Sequence, residues 1–398
     1  MTLTQTSKIH IWVPDYESAT GGIQVFSRFL VRAVADCFPD GQITVLSKND
    51  SSFPILPTHK SPIRFDCTGW WAPSRRTAAY TSQLIKYGLR DRPDLIFCGH
   101  VNFSPIARWL KRIAGIPFIA IGHGLDVWNI RRGGVRHAVS VADRALAVSQ
   151  FTADSMTKVF GLRPDQIGLL PNTFDPETFV PGPKPHYLLK RFRLSSEQPV
   201  ILTVTRLAGE EQYKGYDQVL RALPAVRHAV PRVHYILGGK GTDKPRIEAL
   251  IRDLRLDDAV TLAGYIPDHE LCGFYNLCDV FAMPSKAEGF GIVFLEALAC
   301  GKPVIAGNKD GSVDALMNGK LGVLIDPDNV AEIAETLICI LTKRHPLGIL
   351  QDPERLRAEV IAAYGYSRFV ETLAAHLAHL GFSPKIPATD QSEESFTD

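Results

Sequence analysis

Short apolar runs alternate with segments of helical spacing along the chain. In the first half, residues 8–14 (KIHIWVP), 42–48 (QITVLSK), 94–100 (DLIFCGH), 117–124 (PFIAIGHG) and 142–149 (ADRALAVS) are mostly apolar on both faces. That is the pattern of strands buried inside a parallel sheet. Helical spacing fills the gaps at 22–37, 75–90, 104–113 and 150–159. The resulting β-α-β-α order predicts a doubly wound α/β sheet.

The second half repeats the plan. Strand patterns at 199–207, 233–241, 260–266, 278–285, 303–307 and 322–326 alternate with helical ones near 216–228, 244–253, 268–277, 290–300 and 330–343. Between the halves, residues 171–194 are rich in proline and poor in periodicity, as a linker would be. The pattern predicts two Rossmann-like doubly wound domains facing each other across a cleft, at residues 1–180 and 195–365. Ligands of such sheets bind beyond the carboxyl ends of the strands. Residues 366–381 have helical spacing and stop at Gly381, and the polar, acidic residues 382–398 are expected to be a disordered tail.

Composition narrows this little. The 398 residues are 45% hydrophobic and 22% charged, an ordinary globular balance with material for two cores. The net charge of +2 is unevenly spread: between Lys60 and Arg136, thirteen Lys and Arg stand against four acids. Such an excess favours an anionic partner. Seven cysteines, odd in number and without a CxxC, argue for buried thiols in a reducing compartment. No apolar run is long enough to span a membrane, and the start lacks the pattern of a signal peptide, so a cytoplasmic location is expected.

Candidate chemistry gathers at the ends of the strand patterns. In SKAEGFGIVFLEALACGKPVIA (285–306), a strand ends, a glycine turn follows, and a short apolar helix carries Glu296 in its middle. An ionised carboxylate in such a helix needs solvent, a partner or a ligand. Glu296 suits the paired hydroxyls of a ribose, and Glu288, in the turn, those of a second sugar. Equally, the first is a solvated helix position and the second a loop acid. Gly289 and Gly291 leave the first helix amides open to an anion. Arg206 and Lys214 follow the first strand of the second half, where two cations can hold a diphosphate or simply sit exposed on a loop. Gly21 and Gly22 precede a helix and suit close approach to a ligand, or a tight turn. The fingerprint GxGxxG is absent there, which weakens a hydride-transfer enzyme. His123 lies between glycines at a strand end, as a ligand-facing residue or a hydrogen-bonded structural histidine, with Asp126 three residues on to orient it or to meet a substrate hydroxyl. Gly238, Gly239 and Gly241 flank Lys240 in a loop that either lies flat against a nucleotide or only turns. The acids show no metal-binding spacing.

Taken together, these pieces resemble the retaining glycosyltransferases of the GT-B fold, the family-4 group (glycosyltransferase group 1) that includes bacterial mannosyl-, glucosyl- and N-acetylglucosaminyltransferases. The carrying residues are the glycines at 21–22, the HG pair at 123–124, the R-x7-K of Arg206 and Lys214, and the E-x7-E of EGFGIVFLE. The resemblance covers roughly residues 8 to 380. It implies that the second domain binds a nucleotide-diphosphate sugar and the first an acceptor. Glu296 would hold the ribose. Arg206, Lys214 and the amides of Ile292 and Val293 would hold the diphosphate. Glu288 with the backbone of Phe290 and Gly291 would meet the transferred sugar, and Gly22, beside Gly21, the distal phosphate. The backbone near Ile266 would meet the base, and His123 would lie near the sugar's hydroxymethyl group. The helix at 366–381 would cross back onto the first domain. Transfer would retain configuration without a metal or cofactor, by front-face attack in which the departing phosphate takes the acceptor's proton. Glu288 is not expected to act as the nucleophile of a retaining glycosidase. One departure from the family stands at PNTFD (171–175), where Thr173 replaces the usual glycine, so no role is carried to Asn172.

The basic first half gives the one clue to the acceptor. Trp70 and Trp71 precede the basic helical pattern at 75–90, and RWLKRIAG follows at 108–115. Such segments can dock on anionic headgroups, which would bring peripheral contact with the inner face of a membrane, or form a solvated basic face that draws in an anionic soluble acceptor; a glycan, lipid-linked or small-molecule acceptor is expected. A nucleic-acid partner is not. Two other readings stay open: a GT-B enzyme of different chemistry, such as an epimerase or phosphorylase, and a sugar-nucleotide-binding subunit without turnover.

Overall fold

The computed structural model describes residues 7–17, 21–54, 61–128, 130 and 133–386. The chain divides into two compact units: the described parts of Met1–Ala147, Ala153–Leu170 and Tyr366–Asp398, and Val148–Thr152 with Pro171–Gly365.

The first unit holds seven strands: β1 (Lys8–Val13), β2 (Gln42–Ser47), β3 (Ile63–Cys67), β4 (Leu95–Cys98), β5 (Phe118–Gly122), β6 (Arg144–Ala147) and β7 (Ile167–Leu169). Their order is β3-β2-β1-β4-β5-β6-β7, with every pairing parallel. The central strands β4 and β5 are buried at every residue, as their unbroken apolar runs require. The two edge strands escape the sequence pattern for a physical reason. β3 (IRFDC) keeps polar side chains at its open edge, and β7 is three residues long with a central glycine. The core joins Trp12, Leu46, Tyr80, Leu84, Ile96, Phe118 and Met156. The last helix, Tyr366–His379, belongs to this unit. Phe369 packs edge-on to Phe26, Arg32 lies over the Tyr366 ring at 4.1 Å, and His376 Nε2 lies 2.7 Å from the Leu169 carbonyl oxygen.

The second unit holds β8 (Val200–Val204), β9 (His234–Gly238), β10 (Val260–Gly264), β11 (Val280–Met283), β12 (Val304–Gly307) and β13 (Val323–Ile325). They run β10-β9-β8-β11-β12-β13, again all parallel. Its core is built on Tyr216, Leu220, Tyr235, Leu237, Val280, Ile305, Ile333 and Leu337. Helices Lys244–Asp253 and Asp268–Leu277 match the sequence pattern to the residue.

Residues 171–194 differ from a free linker. Phe174 and Phe179 are buried, helix His186–Phe192 buries Leu188, and all of them belong to the second unit. Arg357 ties the segment down, donating to the carbonyls of Phe179, Pro176 and Ala299. Thr173 is buried and its hydroxyl donates to the Tyr364 carbonyl at 2.7 Å, a contact that glycine could not make. Residues 387–398 of the expected tail, and Lys60, Arg131 and Arg132 of the basic region, lie outside the described residues.

Candidate active site

In each sheet the strand order reverses once, between β1 and β4 in the first and between β8 and β11 in the second. At such a reversal the loops leaving the two strands part and open a crevice at their carboxyl ends. In the second unit Arg206 leaves β8 and Glu288 leaves β11, so these two residues sit on the loops that flank the reversal.

The loop after β8 turns through a short 3₁₀ segment, Gly209–Lys214, which lies against the exit of β11. The amide of Lys286 donates to the Tyr213 carbonyl at 2.9 Å. Gly215 has φ +80°, and a Cβ on it would collide with the Pro284 carbonyl oxygen, so the close approach of the two loops demands glycine here. This approach brings the Lys214 ammonium onto the Glu288 carboxylate in an ion pair with both side chains largely buried. Burial alone would depress the Lys214 pKa. The Glu288 charge, the adjoining Tyr213 and Glu211 outweigh it, so the ammonium is held above its ordinary value.

Arg206 pairs with Glu211, whose carboxylate is buried while the guanidinium is 67% exposed. Burial raises the Tyr213 phenol, and the phenol feels Lys214, Glu211, Glu288 and Arg206 together. Tyr213 therefore marks one neighbourhood that both expected cations share with Glu288. Neither Lys214 nor Glu288 is the free loop residue of the bland alternative.

The backbone of Glu288 is fixed from the other side by the loop after β12. Asp310 Oδ2 accepts from the Glu288 amide at 2.7 Å, its Oδ1 accepts from the Ser312 amide at 2.9 Å, and the Gly311 amide donates to the Glu288 carbonyl at 2.9 Å. Burial pushes the Asp310 carboxyl above its ordinary range even against those bonds. At Gly291 the backbone takes φ +95°, and a Cβ there would strike the Phe294 ring. Helix Ile292–Ala299 starts directly after it, shorter at both ends than the expected 290–300, and no side chain caps its first turn. Phe290 and Ile292 are buried, so what they offer a ligand is backbone.

Glu296 is not a solvated helix position, since only 7% of it is exposed. The Tyr275 hydroxyl, from helix Asp268–Leu277, donates to its Oε2 at 2.6 Å. Burial, reinforced by the Glu296 charge, raises the Tyr275 phenol well above its ordinary value, so it remains a donor. The GGKG loop has a packing explanation. Cβ atoms on Gly239 and Gly241 would run into the carbonyls of Thr205 and Leu207, and one on Gly238 into the Ile266 side chain. Ile266 is buried there, while Tyr265 is exposed and carries the Lys240 ammonium 4.8 Å above its ring. Tyr275, Tyr213 and Asp310 escape sequence reasoning because each is defined by a partner far along the chain, and Glu211 because nothing in the sequence marks it as buried against Arg206.

In the first unit, His123 follows β5 and Gly99–His100 follow β4. His123 Nε2 lies 2.9 Å from the Gly99 carbonyl oxygen, an acceptor, which assigns the ring proton to that nitrogen. The ring stands edge-on to Phe26, 4.9 Å between centroids. Asp126 orients His123 through its backbone, accepting from the His123 amide at 2.8 Å. Its other oxygen, Oδ2, is buried and has no hydrogen-bond partner among the described residues. Gly124 needs its glycine for φ +123°. Gly21 is extended, not left-handed, and Gly22 opens helix Gly22–Cys37 without a capping side chain among the described residues. A left-handed turn therefore does not account for that glycine pair. Among the described residues no group of three or more His, Cys, Asp or Glu is arranged to hold a metal ion.

Two parallel-sheet units of this kind, with a cation pair and two carboxylates at the reversal of the second, define the GT-B class of glycosyltransferases. Family models match both halves: Glycosyltransferase Family 4 over residues 20–178 and Glycosyl transferases group 1 over residues 188–359. A GDP-mannose-dependent alpha-(1-6)-phosphatidylinositol monomannoside mannosyltransferase of Mycolicibacterium smegmatis is 30% identical over 301 residues, 73% of this chain and 75% of the relative. A D-inositol 3-phosphate glycosyltransferase of Stackebrandtia nassauensis is 32% identical over 290 residues, 66% of this chain and 64% of the relative. The fold matches the Anabaena protein HepE, solved with UDP and glucose, at a TM-score of 0.75 and 22% identity over 94% of this chain and 99% of that one. The chain belongs to the group 1, family-4 glycosyltransferases.

Proposed function

We propose that this glycosyltransferase moves a hexose from a nucleoside diphosphate donor to an acceptor hydroxyl with retention of configuration and without a metal ion. The observation that carries the reading is the buried Lys214–Glu288 pair, with Arg206 in the same neighbourhood, on the loops flanking the strand reversal. As the bond from the anomeric carbon to the phosphate oxygen breaks, negative charge grows on the diphosphate. Lys214, Arg206 and the uncapped amides of Ile292 and Val293 are assigned to that charge. The departing phosphate oxygen takes the acceptor's proton while the acceptor oxygen bonds to the same face of the sugar. Glu288 and the backbone of Phe290 and Gly291 are assigned to the transferred sugar, Glu296 to the ribose, and the backbone at Ile266 to the base. In the first unit, Gly21, Gly22, His123 and Asp126 are assigned to substrate contact.

The name of the mannosyltransferase relative favours GDP-mannose as donor, and the two names together favour a phosphoinositol-type or glycolipid acceptor. A basic surface of the first unit suits such an acceptor at the inner face of a membrane. Trp70, Trp71, Trp109 and Ile113 are exposed, as are Arg75, Lys86 and Arg90 on helix Pro73–Asp91 and Arg112 on helix Ser104–Ala114. No described helix is long and apolar enough to cross a membrane.

A melting-temperature panel with GDP, UDP and ADP tests the donor, since a ligand of the native state raises the midpoint as RT ln(1 + [L]/Kd). GDP is expected to give the largest shift, and no shift with any of the three removes the reading. Product analysis by NMR is expected to show the donor's α configuration kept, with turnover unchanged by EDTA. Flotation with vesicles containing phosphatidylinositol tests the membrane contact, which is excluded if the protein stays in the dense fraction at low salt.

A further inference from the structure

Cys272 and Cys300 bring their sulfurs to within 3.9 Å in the second unit, although 28 positions separate them in the chain. Cys272 lies on helix Asp268–Leu277, and Cys300 follows helix Ile292–Ala299. Their surroundings differ. Cys300 is buried, and Cys272 is only partly covered. The Asn276 side-chain amide, one turn along the same helix, points a donor at Cys272 Sγ from 3.5 Å, and the Val180 carbonyl oxygen lies 3.6 Å from that sulfur. The hydrogen bond from the Cys300 thiol brings the Cys272 thiol down to about 6, against the opposing effect of burial, with Asn276 and the Arg357 charge acting the same way. The lowered value makes Cys272, rather than Cys300, the thiol of the pair that gives up its proton more readily. Cys37 and Cys278, by contrast, are pushed up to about 12 by burial.

The same helices carry the clasp on Glu296. Tyr275 lies three positions after Cys272, and Glu296 four positions before Cys300. Residues at these spacings share a helix face, so the two sulfurs and the Tyr275–Glu296 hydrogen bond lie about a turn apart on one helix–helix seam.

We propose that Cys272 and Cys300 form a peroxide-sensitive dithiol pair whose disulfide bond resets the seam holding Glu296. The Cys272 thiolate attacks one peroxide oxygen and the O–O bond breaks. The leaving hydroxide takes a proton to become water, and Cys272 becomes a sulfenic acid. Cys300 sulfur then attacks Cys272 sulfur. The S–O bond breaks, and the Cys300 proton leaves with the oxygen as a second water. Two electrons from the thiols thus reduce one peroxide. A disulfide needs its sulfurs about 2.0 Å apart, so bridging the 3.9 Å gap moves both side chains along the seam, and in this proposal the clasp on Glu296 moves with them. Bond formation stands independently of the catalytic reading. Its effect on donor binding rests on the assignment of Glu296 to the ribose.

The test uses the full chain, fully reduced, then treated with hydrogen peroxide, alkylated with iodoacetamide and mapped by mass spectrometry. The expected result is a single cross-linked peptide pair joining Cys272 to Cys300, reversed by dithiothreitol and absent from Cys272→Ser. Cys272 recovered alkylated or as sulfinic acid without that cross-link overturns the proposal, as does a different dominant pair. Calorimetry with GDP and UDP then reads the consequence. Affinity is expected to fall several-fold on oxidation of the wild type and to stay unchanged in Cys272→Ser. Equal affinity in oxidised and reduced wild type refutes the coupling. A reduced protein that binds neither nucleotide overturns both the coupling and the functional reading beneath it, while the peptide map still decides the disulfide.

Discussion

The Tyr275 hydroxyl donates to Glu296 Oε2 at 2.6 Å, joining two helices that an apolar interface alone would have held. The bond fixes in place the carboxylate that the proposed function assigns to the ribose. Tyr275→Phe removes one donor from a buried carboxylate. A loss of roughly 1–3 kcal/mol in unfolding free energy is expected, together with weaker nucleoside diphosphate binding. Glu296→Gln, which can still accept from Tyr275, should keep most of the stability and lose the affinity. Urea titration and calorimetry on both variants separate the two effects, and a Tyr275→Phe protein as stable as wild type would disprove the account of Glu296.

Under the proposed function, Lys214→Ala removes a preorganised cation from the growing diphosphate charge. A fall in kcat of roughly 10²–10³ is expected, by analogy with loss of one transition-state donor in other enzymes. Because Lys214 and Glu288 pair directly, the double variant with Glu288→Ala should lose less than the product of the single losses. Strictly multiplicative effects on kcat would mean that the pair is not a working unit.

Gly215→Ala tests the fastening of the two loops. At φ +80° a side chain costs roughly 1–2 kcal/mol from the backbone alone, and the clash with the Pro284 carbonyl adds to it. The variant should be less stable by about 2 kcal/mol or more and should lose activity in parallel with Lys214→Ala. Unchanged stability in a denaturant melt would contradict the close approach described here.

His10 gives the first unit an acid limit. It is buried in β1 with Nε2 3.4 Å from Asp91 Oδ2. Burial holds its pKa down at about 4 even though Asp91 pulls it up. Below its ordinary value of 6.5, the unfolded chain takes a proton that folded His10 refuses until about pH 4. Protons therefore favour unfolding across that window, and stability falls as pH drops from 6.5 toward 4, by an amount of order 3 kcal/mol. Above pH 6.5 this contribution is complete. Urea melts at pH 7, 5.5 and 4.5 should show the loss, and His10→Gln should flatten it.

Much of this protein is legible from local pattern. Unbroken apolar runs such as those of β4 and β5 can be satisfied only inside a sheet covered on both faces, so the alternation of strand and helix carries the fold class. Glycine spacing marked the turn before helix Ile292–Ala299, and Arg206, Lys214, Glu288 and Glu296 were visible as charges at strand ends. What the chain pattern left undecided was the partner of each charge. Lys214 meets Glu288 across 74 positions, and Tyr275 meets Glu296 across 21. Cys272 finds Cys300 only because two helices pack side by side. Periodicity is a property of neighbours along the chain, whereas the pairing of a buried charge or thiol depends on which loops the strand order brings together, and that is settled only when the sheet closes.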